Sequence, residues 1–280
     1  MRRGRRLVVN NLAKYREKNR AAWNEATTLH LRNPNNPLGR VLQGGCSLAR
    51  VEREELGDVR GRRLIHLLCN CGHDTLSLAR LGARCTGVDI ADEAIAAARS
   101  AAAVLGLPVR FIRSDVYDLA LDEHFDIVYV GKGALYWLDD FAEFARIVAR
   151  LLAPGGRVYV YEEHSLLPFM LELDPTAYNP ASGDLNYFHD VEPTSSVGLD
   201  YVGLSGEGTK RSYEWQWTLG DIVTGFAQAG LRIEFLHEWP FISSFKYWDW
   251  LEEREDEGAF HIPADKPQLP LSFSLQARRD

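Results

Sequence analysis

The chain has 280 residues, 46% of them hydrophobic and 25% charged, which is the balance of an ordinary globular protein able to bury a full core. Its formal net charge of -7 argues against a surface built to neutralise phosphates, because that work needs clustered Lys and Arg, and only Arg2, Arg3, Arg5 and Arg6 cluster here. No apolar stretch approaches the roughly 20 residues of a membrane span and the start lacks the apolar core of a signal peptide, so a cytoplasmic location is expected.

Residues 7–32 show helical periodicity marked by Tyr15, Trp23, Asn24 and His30, and Asn33-Pro34-Asn35-Asn36-Pro37 ends it, since Pro removes a donor and biases its predecessor toward extended geometry. This arm, residues 1–45, reads either as a lid over a site or as a staple against the core. Cys46 to Leu56 reads as a short amphipathic helix, and Gly61 as the turn into the first strand. The four cysteines, Cys46, Cys69, Cys71 and Cys85, have neither zinc-knuckle nor thioredoxin spacing; they read as reduced packing residues, and no metal is expected.

From Arg63 onward apolar runs and helical segments alternate, the signature of a parallel sheet covered by helices on both faces. Strands are predicted at 63–68, 84–89, 108–113, 125–131 and 156–162, with helices at 74–81, 92–105 and 139–152. Asp92 reads as the N-cap of the alanine-rich helix and Gly106 as its end, while Pro154-Gly155-Gly156 reads as a turn between the helix 139–152 and the next strand. The second strand ends on Asp89, and an acid at the carboxyl end of a strand in such a sheet is placed to accept ribose hydroxyls.

The rhythm breaks over 165–216, where prolines and aromatics such as Phe169, Tyr178 and Tyr201 suggest an irregular insertion that covers a substrate. Arg211 to Trp217 alternates like an exposed strand. A helix at 219–229 and strands at 231–237 and 271–277 complete the chain, the last two pairing antiparallel at the sheet edge. The fold class is therefore α/β: a Rossmann-like, doubly wound sheet of about seven strands, mostly parallel, formed by residues 46–164 and 217–280.

Residues Arg63 to His164 and the terminal helix and strand pair resemble class I S-adenosylmethionine-dependent methyltransferases. Aligned on Gly72, the family's D-x-G-x-G-x-G turn reads here with His66 for the acid, Leu68 for the first glycine and Asn70 for the second. Gly87-Val88-Asp89-Ile90 resembles the second motif, Arg113-Ser114-Asp115-Val116 the third, Phe125 to Gly131 the fourth strand, and Leu151 to Val160 (LLAPGGRVYV) the entry to the fifth.

The resemblance implies S-adenosylmethionine as cofactor. It places the ribose on Asp89 and Ile90, the adenine on Asp115 and Val116, and the methionine end near His66, Leu68, Asn70, Gly72 and Gly131. Trp23 and His30 of the arm close the site. Loss of two glycines implies either a shifted loop or a methionine moiety held differently, because glycine allows close backbone approach. His66 is either a donor to the cofactor carboxylate or a hydrogen-bonded core histidine, and Asp89 and Asp115 have strand-end capping as their structural alternative.

For a general base the strand ends offer Tyr136, Glu162, Glu163 and His164, with His164 first because imidazole titrates near neutrality; it could equally be bonded to backbone. Tyr136, Trp137, Tyr213 and Trp215 wall a substrate pocket or pack in the core. Val130-Gly131-Lys132-Gly133 stands where base-modifying amino-methylases of nucleic acids carry Asn/Asp-Pro-Pro-aromatic, which with the acidic charge favours a small-molecule acceptor of the methyl group, on O or N, without nucleic-acid or membrane partners. Two rival readings are a non-catalytic methyltransferase-like domain acting through a partner, and a nicotinamide-dependent oxidoreductase, although the turn lacks G-x-G-x-x-G.

Overall fold

A computed structural model describes residues 5–33, 36–168, 187–188, 192–199 and 208–280, with side chains from Leu12 onward. Parts of the insertion that carry Phe169, Tyr178 and Tyr201, together with Arg2 and Arg3 and the side chains of Arg5 and Arg6, lie outside these residues. Helices α1 (Arg5–His30), α2 (Pro37–Leu42) and α3 (Arg50–Leu56) precede the alternating unit. That unit is β1 (Arg63–Leu67), α4 (His73–Arg80), β2 (Arg84–Asp89), α5 (Asp92–Leu105), β3 (Arg110–Arg113), β4 (Phe125–Gly131), α6 (Phe141–Leu151) and β5 (Leu152–Glu163). Then follow β6 (Thr194–Val197), β7 (Arg211–Glu214), α7 (Leu219–Gln228), β8 (Leu231–Trp239), β9 (Phe241–Ile242), β10 (Glu252–Arg254), β11 (Ala259–His261) and β12 (Ser272–Arg279).

Seven strands form one sheet in the order β3-β2-β1-β4-β5-β12-β8, parallel through β5, with β12 running antiparallel to both β5 and β8. The first strand after the helical arm thus lies near the middle, and the order reverses between β1 and β4. Open sheets of this kind bind ligands outside the carboxyl ends of their strands at that reversal. Two small sheets, β10-β11-β9 and β6-β7, stand apart from the main one.

The period-2 pattern of the strands explains both layers. Ile65, Leu67, Val128, Val130, Val158 and Val160 enter the core beneath α6 and α7, while Leu64, Ile127, Tyr129, Tyr159 and Tyr161 enter the core on the opposite face beside α3. The tyrosines on the second face carry polar tips into that layer, and α3 supplies acceptors: Glu52 for Tyr129 and Glu55 for Tyr159. Helix α6 buries Phe141, Phe144, Ala145, Ile147, Val148 and Leu151, one stripe at helical spacing, and Asp140 caps it by accepting from the Glu143 amide.

Two local expectations need correction. Asp92 is the first residue of α5 rather than its N-cap, which is Ala91; its carboxylate instead takes Arg20 and Asn24 from α1 and Arg113 from β3. Pro154-Gly155-Gly156 does not precede β5 but lies inside its span, as a bulge where pairing with β4 shifts register; Gly155 has φ 73° there, and a Cβ on Gly156 would meet carbonyl oxygens at 2.9 Å. Among the described residues no helix is long and apolar enough to cross a membrane.

Candidate active site

The strand β1 hands over to α4 through a turn in which Leu68 and Asn70 take φ of 55° and 49° and Gly72 takes 72°. Left-handed backbone thus stands at all three of these positions of the glycine-type turn. Neighbouring bonds impose it: the Cys69 amide donates to Val88 O, the Gly72 amide to Cys69 O, and the Asn70 amide to Asp89 Oδ2 at 2.7 Å. Asn70 also accepts from the Cys71 amide through its own Oδ1, a local bond that lowers the cost of this conformation for Asn. Gly72 and Gly87 have a different reason to be glycine, since a Cβ on either would lie 2.6 Å from the Phe111 ring.

Asp89 stands at the β2 terminus with Oδ1 also accepting from the Ala91 amide at 2.9 Å. Burial pushes its carboxyl up from the ordinary value, and the backbone amides hold it back. Beside it, Asp115 caps the single turn 116–118 by accepting from the Tyr117 amide, and Arg16 of α1 lies 3.8 Å away.

These termini open onto one cavity of about 1340 Å³. His66, Leu68, Asn70, Asp89 and Ile90 line it from the first two strands, and Asp115 and Val116 from the third. Gly131, Tyr136 and Trp137 line it from the fourth strand and the turn after it, and Trp23 from α1. His66 is 2% exposed, with Nδ1 bonded to Thr75 Oγ1 at 2.8 Å and Nε2 without a protein partner. Burial drives its pKa down to about 3, so the ring is neutral at physiological pH.

Six of the candidate site residues singled out from sequence do not line this cavity, among them Glu162, which is buried and accepts from the Gly133, Ala134 and Leu135 amides. His164 is turned into the sheet edge: Nε2 pairs with Glu238 at 2.9 Å, Nδ1 accepts from the Leu166 amide, and burial lowers its pKa. His164, expected as the base, thus does not line the cavity, and both ring nitrogens are bonded at the β5 exit. His30 is buried against Trp23, Gly72 packs on Phe111, Trp215 is 2% exposed beside Tyr15, and Tyr213 stacks on Tyr15 while its backbone bonds Asn19. Tyr213 and Trp215 hold α1 to β7 instead of walling the pocket.

Sequence reading missed two charged groups of the cavity wall. Lys132, at φ 65°, sends Nζ to Ser47 O (2.7 Å), Glu52 (3.0 Å) and Asp74 (3.2 Å), a buried network under the β4 exit. Although burial alone would raise it, Asp74 is brought down to about 2 by Lys132 and then the neighbouring histidines. A lone Lys between two glycines at a strand end was the available signal. The second group is Glu214, whose carboxyl burial, and then the charge of Glu163, push up to about 7. Glu163 accepts from Ser244 (2.8 Å) and Tyr247 (2.6 Å).

The profile of the methyltransferase domain family matches residues 65–160, the span from β1 into β5. A ubiquinone biosynthesis O-methyltransferase of Methylobacterium sp. (strain 4-46) is 31% identical over 137 residues, covering 48% of this chain and 55% of that protein. The chain thus spans about half the length of the relatives it matches. Among solved structures, an S-adenosylmethionine-dependent methyltransferase from Mesorhizobium loti superposes with a TM-score of 0.53 at 21% identity, covering 82% of this chain and 96% of that one. Magnesium protoporphyrin IX methyltransferase from Synechocystis PCC 6803, solved with S-adenosylhomocysteine, gives 0.50 at 15% identity, covering 87% and 81%. These two likenesses speak for the fold. Together with the strand order they show a methyltransferase-like fold, and the match to the methyltransferase domain lies in residues 65–160.

Proposed function

We propose that this protein transfers a methyl group from S-adenosylmethionine to an oxygen or nitrogen atom of a small-molecule acceptor, in the cytoplasm. The observation that carries the reading is Asp89: a carboxylate at the β2 terminus, oriented by the Asn70 and Ala91 amides and open to a cavity large enough for cofactor and acceptor together. Asp89 would accept the ribose hydroxyls, Asp115 and Val116 would meet the adenine, and the unpartnered Nε2 of neutral His66 would face the amino-acid end.

The cofactor supplies an electrophilic methyl group on sulfur. The chain's part is alignment and exclusion of water, worth roughly 7 to 11 kcal/mol where geometry is ideal. Three elements supply the alignment: the β1 turn, the β2 terminus and the turn after β4 all end at the same cavity. Arg16, Asn19 and Trp23 of the arm and Ser196, Gly198 and Glu214 of the insertion line the cavity, which supports an arm over the site and a cover for the acceptor. The acidic net charge and carboxylate-rich wall favour a small acceptor over nucleic acid. Calorimetric titration with S-adenosylmethionine, S-adenosylhomocysteine and NAD tests the reading. Micromolar affinity for the two sulfur compounds and none for NAD is expected, and silence from both sulfur compounds overturns it.

A further inference from the structure

Resting on that methyl-transfer reading, we propose that the acceptor carries a protonated amine and that Glu163, Glu214 and the Tyr136 hydroxyl form its seat. The three come from different parts of the chain, the ends of β5 and β7 and the turn after β4, and all line the cavity. Glu163 is fixed as an acceptor by the Ser244 and Tyr247 hydroxyls. The Glu214 carboxylate has no hydrogen-bond or ion-pair partner among the described residues. The Tyr136 hydroxyl is fully buried and has none either.

Two carboxylates in one cavity repel each other and lose hydration, each at a cost of several kcal/mol unless a cation joins them. Among the described residues no Lys or Arg pairs with Glu163 or Glu214, although Arg16, Arg40, Lys132 and Lys246 line the same cavity. Lys132 is held by Glu52, Asp74 and Ser47 O, and Arg16 by both oxygens of Asp139. The segment that connects β5 to β7, residues 164–210, contains seven acidic residues against a single Lys, Lys210, whose amide bonds Glu25.

The donor count fits the same group. An ammonium has three N–H donors and no acceptor, and the seat offers two carboxylates and a phenolic oxygen whose own proton can turn to a carboxylate. A neutral hydroxyl brings one donor, and an anionic acceptor is repelled. Trp137, in edge contact with Trp23 at 5.1 Å between centroids, adds an aromatic wall on which a cation gains further attraction.

The test is calorimetry on the full chain saturated with S-adenosylhomocysteine, titrating benzylamine, tyramine and cadaverine against their neutral counterparts benzyl alcohol, tyrosol and 1,5-pentanediol, each up to about 10 mM. At least one amine is expected to bind about tenfold or more tighter than its alcohol. Glu214→Gln and Glu163→Gln should each weaken that amine about tenfold while leaving S-adenosylhomocysteine affinity unchanged and the circular dichroism native. Alcohols binding as well as the amines, no amine binding, or amine affinity untouched in both variants would overturn the assignment. Failure of S-adenosylhomocysteine to bind in the first titration strikes the methyl-transfer reading instead, and the amine comparison can then still be run on the cofactor-free protein.

Discussion

Leu68 and Asn70 hold left-handed backbone without being glycine, a conformation that costs an ordinary L-residue roughly 1 to 2 kcal/mol. The surrounding amide bonds sustain it. Asn70→Gly should therefore change stability by less than about 1 kcal/mol, the lost Oδ1 bond offsetting the relieved strain. Asn70→Val, β-branched at φ 49°, should cost roughly 2 kcal/mol or more in urea unfolding. An equal effect of both would mean that the turn is not held left-handed. Asp89→Ala removes the acceptor of two backbone amides and of the expected ribose diol. S-adenosylhomocysteine affinity should fall at least about tenfold in a variant whose circular dichroism is unchanged, since each bond to a charged acceptor is worth about 1.5 to 3 kcal/mol.

At the scale of elements, the site depends on how closely α6 and α7 cover the sheet. Gly225 of α7 faces the Phe141 ring, and a Cβ there would lie 2.5 Å from it. Phe141 itself packs against Phe144, Trp217 and Phe226, so the ring cannot swing aside. Gly225→Ala should cost about 1 to 3 kcal/mol by chemical denaturation, opposite in sign to the usual gain of helix propensity from Gly to Ala. Stabilisation by this change would show that the two helices are not in contact there. Helix α1 is held differently, by polar contacts at both ends of the site: Arg20 and Asn24 to Asp92, Arg16 to Asp139, Asn19 to the Tyr213 backbone, and Glu25 to Thr209 and Lys210.

Across the whole molecule, buried titratable groups set how stability follows pH. His66 stays neutral down to about 3, so between pH 6.5 and 3 the unfolded chain binds the extra proton. Its contribution is complete above about pH 6.5 and declines as pH falls, by up to about 1.4 kcal/mol per unit. Glu214, pushed up to about 7, and Glu162, pushed up to about 8 by burial and then by Glu163, act in the opposite sense. Their contribution is complete below the ordinary carboxyl value and is lost as pH rises through 7 to 8. With two such carboxyls against one histidine, wild-type stability should rise as pH falls from 7 to 5. His66→Gln should gain stability relative to wild type on acidification, and Glu214→Gln should lose it. Parallel pH profiles for all three proteins, measured by urea midpoint, would refute this assignment of the buried groups.

The sequence by itself determined the parallel α/β unit and the acid that ends β2, because hydrophobic period and turn chemistry are short-range properties written in each segment. Helices α5 and α6 and strands β2 and β4 lie where the pattern put them. The tertiary structure alone decided which polar groups share a cavity. His164 and Glu163 are adjacent in sequence, yet one turns to Glu238 at the sheet edge and the other lines the site. Strand alternation predicts that neighbours face opposite ways but not which face is open. Glu214, Tyr136 and Glu163 line one cavity only because β7, paired with β6 in a separate small sheet, the turn after β4 and the end of β5 all reach it, and no local pattern in a chain encodes that.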